Sequence, residues 1–163
     1  MSKSHEQRSE HTNPWLFALQ LGFYAGLIWG GIHWLFYGLH FTKVSPGFMA
    51  EPFFKHDFLN TVYGHLVGYA FFIVFSIIAA LLYALLLRKL KGPWPGLIYG
   101  LIWWAVIFIA CSRLFLLQPS LKMPWNTFIT ELCIFLLWGM FIGYTVAIEY
   151  TDERKREQGT VLA

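Results

Sequence analysis

Four long stretches of this chain carry no Asp, Glu, Lys or Arg: from His11 to Thr42, from Phe58 to Leu87, from Gly92 to Ser112 and from Leu132 to Ile148. A bilayer core of about 30 Å is crossed by roughly 20 apolar residues at 1.5 Å per residue. The first three stretches reach that length, and the fourth falls slightly short, so its helix must recruit residues before Glu131. In lipid an unpaired backbone amide costs several kcal/mol, which leaves only helices and closed barrels as crossings. The apolar runs are continuous rather than alternating, and this excludes barrel strands. With 57% apolar and only 13% charged residues, the chain lacks the polar surface that a soluble fold of its size needs. The expected fold is therefore all-α, an integral membrane four-helix bundle with four transmembrane helices at about 15–40, 57–87, 96–117 and 127–150. Together they form a single domain over 14–150, flanked by polar tails at 1–13 and 151–163.

The first apolar segment runs for longer than a secretory signal core and offers no small-x-small cleavage site, so it is read as a retained span. Basic residues near span ends stay in the cytoplasm. Lys3, Arg8, Arg88, Lys89, Lys91, Arg154, Lys155 and Arg156 lie on one side, against Lys43, Lys55 and Lys122 on the other. Both termini are accordingly placed in the cytoplasm. The net charge of +3 is a topology signal and implies no nucleic-acid partner. Ser45-Pro46-Gly47 and Glu51-Pro52 mark turns in the first outer loop, Lys89 to Pro95 forms a tight inner turn, and Asn126 or Thr127 is placed to cap the last helix.

Every helix has small residues four apart: Gly22, Gly26 and Gly30; Gly64 and Gly68; Gly96 and Gly100; Gly139 and Gly143. That spacing allows close backbone approach, which favours association between helices in lipid. The glycines are expected to pack a tight bundle, with a homo-oligomer seam as the second reading. Trp29, Trp103, Trp104 and Trp138 are read as packing residues.

At 100° per residue Gly22, Gly26, Gly30, His33, Tyr37 and His40 fall within an arc of about 80° on the first helix. His65 lies at a comparable depth on the second, where it could meet His33. Imidazole binds transition metals and changes charge near neutral pH, so a metal or proton site stands beside plain structural hydrogen bonding. The i,i+4 histidine pair of a metal-binding helix is missing. Arg113 and Glu131 are ionisable residues inside spans, which face a partner or a cavity. Each is expected about 6 Å from its helix end, so an ion pair across the second outer turn is predicted, with complementation of the helix dipoles as the simpler account. Cys111 and Cys133 fall at similar depths and could form a disulfide or act as small apolar residues.

Enzyme signatures are lacking: there is no HExxH, no GxSxG, no phosphate-binding glycine loop followed by Lys, and no CxxC. No catalytic residue, cofactor or metal is expected. Two roles remain: a non-enzymatic structural or interaction protein that contacts lipids or other membrane proteins, and a small oligomeric transporter or channel for protons or a small solute. The second would use the outer cluster of His33, His40, His65, Arg113 and Glu131. Small multidrug transporters also have four spans and a membrane carboxylate, but theirs lies in the first helix and here it lies in the fourth.

The segments Phe41-Thr42-Lys43-Val44-Ser45-Pro46, Gln118-Pro119-Ser120-Leu121-Lys122 and Asn126-Thr127-Phe128-Ile129-Thr130 resemble those of the YqhR conserved membrane protein family of Bacillus-type bacteria. So does the run from Leu137 to Tyr150, with Gly139-Met140-Phe141-Ile142-Gly143-Tyr144 as its most specific part. The resemblance covers most of the chain beyond its first dozen residues. It implies a small multi-span protein of the cytoplasmic membrane, in a family with no established activity, substrate or catalytic residue, so it carries no site residues over.

Overall fold

A computed structural model describes residues 13–87, 94–111 and 124–161, with side chains followed as far as 109 and 149 in the last two stretches. Among the described residues the fold is entirely helical: α1 (Pro14–Gly38), a 3-10 turn (Pro46–Ala50), α2 (His56–Leu59), α3 (Val62–Leu86), α4 (Trp94–Ala105) running on into a π-helical turn (Val106–Cys111), and α5 (Trp125–Val161). Trp15–Gly38, Val62–Leu86 and Trp125–Glu149 are each long and apolar enough to cross a membrane, and Trp94–Ile109 is a shorter apolar helix.

Local chemistry sets the helix ends. Asn13 accepts the amide of Trp15 at 3.2 Å and Pro14 fills the first position, where the missing N–H costs nothing. Thr61 accepts the amide of Gly64 and donates to the Phe58 carbonyl, so it caps α3. This cap breaks the helix expected at 57–87: α2 is a separate turn, and the chain bends at Asn60 and Thr61 before α3 starts. At its C-terminal end α1 stops at Gly38 rather than at residue 40. There the Phe41 amide reaches the Phe36 carbonyl and the His40 amide reaches Tyr37, while His40 adopts a φ of 62°. This is the left-handed helix stop that glycine normally supplies.

Two other expected boundaries move as well. The last helix begins at Trp125 and continues to Val161, so 151–161 extend it and do not form a separate tail. Neither Asn126 nor Thr127 caps it, because the Thr127 hydroxyl accepts the Lys43 amide instead. The third helix begins at Trp94 and departs from α geometry at Val106, which turns the consecutive residues Ile107 and Phe108 both into the core. The inner turn at 88–93 and the expected end of that helix at 117 lie outside the described residues.

The helices associate as two pairs, α1 with α3 and α4 with α5. In the first pair a Cβ on Gly22 would stand 2.5 Å from the Ile77 Cα, one on Gly26 2.7 Å from the Ile73 Cα, and one on Gly30 2.8 Å from the Tyr69 ring. In the second pair a Cβ on Gly96 would meet the Gly139 carbonyl at 2.6 Å, and one on Gly100 the Phe135 carbonyl at 2.2 Å; Gly139 and Gly143 face Gly100 and Gly96 in return. Gly64 and Gly68 do something different. A Cβ on Gly64 would strike Phe58 and Leu59, and one on Gly68 would strike Pro46 and Gly47. The first outer loop therefore folds inward against α3, burying Pro46, Gly47, Phe48 and Ala50.

Between the pairs lies an aromatic core. Trp138 of α5 is fully buried, stacks on Phe75 of α3 at 5.5 Å and lies against Tyr99 of α4 at 6.3 Å. Its indole N–H donates to the Ser76 hydroxyl at 3.0 Å, and the Tyr99 hydroxyl donates to the Ala79 carbonyl at 2.7 Å. These two bonds fix the depth of the α4–α5 pair against α3.

The backbone contacts set opposite expectations for two glycines. Gly139→Ala is expected to lower stability by about 1–3 kcal/mol, because the backbones of α4 and α5 must separate to admit the methyl group. Gly38, with nothing within 4 Å of a built Cβ, is expected to tolerate Ala or gain up to about 1 kcal/mol. Thermal unfolding of the two variants in one detergent measures both. Since a non-glycine residue in the left-handed region costs roughly 1–2 kcal/mol, His40→Gly is expected to raise the unfolding temperature in the same assay.

Candidate functional site

Glu131 lies in the second turn of α5, where the helix dipole favours an anion, and it has no exposed surface. Its Oε1 is 3.0 Å from Nε2 of His33 on α1, which is also buried. The same Oε1 accepts the hydroxyl of Thr42 at 2.5 Å. Thr42 Oγ1 also accepts the Val44 amide at 3.1 Å. Among the described residues, Glu131 Oε2 is buried with no hydrogen-bond partner. A carboxyl group thus has one oxygen doubly held and the other bare, in surroundings where an unpaired charge is expensive.

The strand of loop that brings Thr42 here, residues 41–50, acts as a strap over the outer end of the bundle. Thr127 accepts the Lys43 amide at 3.2 Å and the Thr130 hydroxyl donates to the Phe41 carbonyl at 3.3 Å, so three residues in the first two turns of α5 hold residues 41–43. Ser45 caps the following 3-10 turn and donates to the Leu59 carbonyl. Phe48 closes the arrangement: its ring is 5.4 Å from that of His33 and stacks on Phe108 at 5.8 Å. The π-helical turn matters here, since it aims Phe108 at both Phe48 and Phe135.

Of the five polar residues expected to cluster, the structure brings His33 and Glu131 into contact. His65 sits on another side of α1, edge-on to Trp34 at 6.0 Å and Tyr37 at 5.4 Å, and its buried Nε2 has no partner. His40 is exposed beyond the end of α1, so it does not share the face predicted from helical spacing. Arg113 lies outside the described residues, and the partner found for Glu131 on a neighbouring helix is His33. Cys133 is a free, exposed thiol, and the side chain of Cys111 lies outside the described residues. Among the described residues no three His, Cys, Asp or Glu side chains stand close enough to hold a metal ion.

Sequence reasoning did not find Thr42 or Phe48. A signal was present: Gly47 lies in a loop, where close approach is one reason for glycine, and Gly64 and Gly68 on α3 needed a surface to approach.

The family model described as "Conserved membrane protein YqhR" matches residues 2–160. Among known proteins the chain is similar to one from Bacillus subtilis (strain 168) described as "Uncharacterized protein YqhR", with 35% identity over 132 residues, 80% of this chain and 74% of the relative. No solved structure matches it.

Removing one member of a buried pair leaves the other uncompensated, which costs roughly 3–5 kcal/mol, whereas replacing both by apolar residues is close to neutral. His33→Leu alone is therefore expected to lower stability strongly, and His33→Leu with Glu131→Leu to recover most of the loss. A double-mutant cycle by thermal unfolding gives the coupling; additive losses would show that the two side chains do not stabilise one another.

Proposed function

The chain belongs to the YqhR family of conserved membrane proteins, and we propose that it is a non-enzymatic protein of the bacterial cytoplasmic membrane, crossing it four times with both termini inside and acting through contacts with lipids or other membrane proteins. The distribution of basic residues supports this orientation. The antiparallel match of Gly96 and Gly100 with Gly143 and Gly139 supports counting α4 and its π-helical extension as a span beside α5.

One observation carries the reading of its role. Several polar side chains of the interior are bonded to each other or to backbone, Glu131 to His33 and Thr42, Trp138 to Ser76, Tyr99 to Ala79 and Tyr69 to Leu27, while Trp29 Nε1, His65 Nε2, Tyr83 OH, Trp104 Nε1 and Glu131 Oε2 are buried without a partner among the described residues. The space between the helices is filled with rings. All nine glycines expected to pack helices are buried within the chain, so a contact with another protein falls to a different surface. The outward faces of α1 and α3 offer apolar side chains such as Phe23, Leu27, Val74 and Ile78, suited to lipid or to an apolar partner helix.

The competing reading is a transporter or channel for protons or a small solute, and its support is two buried, unpartnered atoms, Oε2 of Glu131 and Nε2 of His65. Proteoliposomes distinguish the two. The contact role predicts proton and solute fluxes equal to those of protein-free vesicles, unchanged by Glu131→Gln. A flux that the wild-type protein carries and Glu131→Gln abolishes would replace the contact role with transport.

A further inference from the structure

We propose that Oε2 of Glu131 is a proton-binding site, filled from the outer aqueous phase, and that its occupancy sets how firmly the strap at 41–50 is held. Enclosure identifies the ligand. Glu131 has no exposed surface and its Oε2 no partner, so a guest with volume would have to displace the packing, and the proton is the ligand that needs no room.

The hydrogen bonds already present assign the proton to one oxygen. Oε1 accepts the Thr42 hydroxyl and faces Nε2 of His33, whereas Oε2 has no partner among the described residues. A proton adds at Oε2, forming an O–H bond there and leaving Oε1 as a carbonyl oxygen that keeps both of its donors. Nothing else is made or broken, and the proton leaves by the same route.

Protonation changes the strap because Thr42 is its link to the carboxylate. A hydrogen bond to an ionised acceptor is roughly twice as strong as a neutral one. The hold is thus full while Glu131 is ionised and weakens as the pH falls. The strap covers the carboxyl on the outer side, so its loosening is also what admits water to Oε2.

Other titratable groups on the surrounding elements do not compete for this role. Among the described residues, α1 offers Tyr37, which lies against His65, and His40, which is exposed beyond the helix end. The Lys43 side chain on the strap is exposed, and Glu51 pairs with His56 at 3.4 Å. On α3, Tyr69 is bonded to the Leu27 carbonyl, on α4 Tyr99 to Ala79, and Cys133 on α5 is exposed.

Two measurements on the full chain in nanodiscs test the site. Infrared difference spectra on acidification are expected to show a protonated-carboxyl C=O band that shifts in D2O, disappears in Glu131→Gln and moves to higher frequency in Thr42→Val, which loses the donor to Oε1. Thr42→Val keeps the carboxyl and serves where Glu131→Gln does not fold. In a background with Cys111 and Cys133 changed to Ser, a spin label at Lys43→Cys is expected to become more mobile as the pH falls. In Thr42→Val it should be mobile at every pH. The absence of any such band, its persistence in Glu131→Gln, or the same pH response of the label with Thr42→Val would overturn the proposal. Because the band reports binding and the vesicle assay reports flux, a failure here is distinct from a failure of the contact role.

Discussion

The close approach of helix backbones at glycine is the constraint on which the rest of the molecule depends. Within a bilayer there is no hydrophobic gain when one apolar helix leaves lipid for another, so association rests on dispersion contact and on bonds between polar groups. Gly100 against Phe135 and Gly139, and Gly22 and Gly26 against Ile77 and Ile73, let the main chains touch where any side chain would hold them apart. Everything between the two pairs is then set by what fits: Trp138, Phe75 and Tyr99 fill the middle, and Ser76 and the Ala79 carbonyl receive the two polar tips.

The same device, used a third time, builds the outer end. Gly64 and Gly68 give α3 a bare backbone surface, and Gly47 of the strap lies on it. Had either position carried a side chain, the loop would be pushed outward and Thr42 would not reach Glu131. The polar cluster thus rests on a glycine contact far from it in sequence. A buried carboxyl group is tolerable there because it gathers two donors and the favourable end of a helix dipole, while its second oxygen stays unsatisfied.

The strap also explains why the outer and inner halves of the interior differ. Inward from Phe135 the interior is aromatic, with Trp138 and Tyr99 bonded to α3 and the Tyr83 hydroxyl buried without a partner among the described residues. Outward from it, α1, α5 and a loop converge on one carboxyl group. Residues that could respond to the aqueous phase are concentrated at this end, beneath a cover of irregular backbone whose hydrogen bonds are made largely by threonine and serine side chains.

What the sequence by itself determined is the set of properties that follow from local composition. The charge-free stretches required apolar helices, because backbone in lipid has no other partner; the glycines spaced by four marked faces of close approach; and the rare Glu131 and His33 were marked as residues needing a partner. Tertiary structure alone decided which of these met. Helical spacing placed His40 beside His33, but the chain leaves the helix at Gly38, since a left-handed stop depends on where the following loop must go. Proximity in the chain pointed from Glu131 to Arg113, which lies outside the described residues; His33, 98 residues away, lies beside Glu131, because neighbours in a bundle are chosen by the packing of whole helices. Thr42 gave no signal of its own, for a hydroxyl in a loop acquires meaning only when the backbone beneath it, at Gly47, Gly64 and Gly68, is free to fold inward.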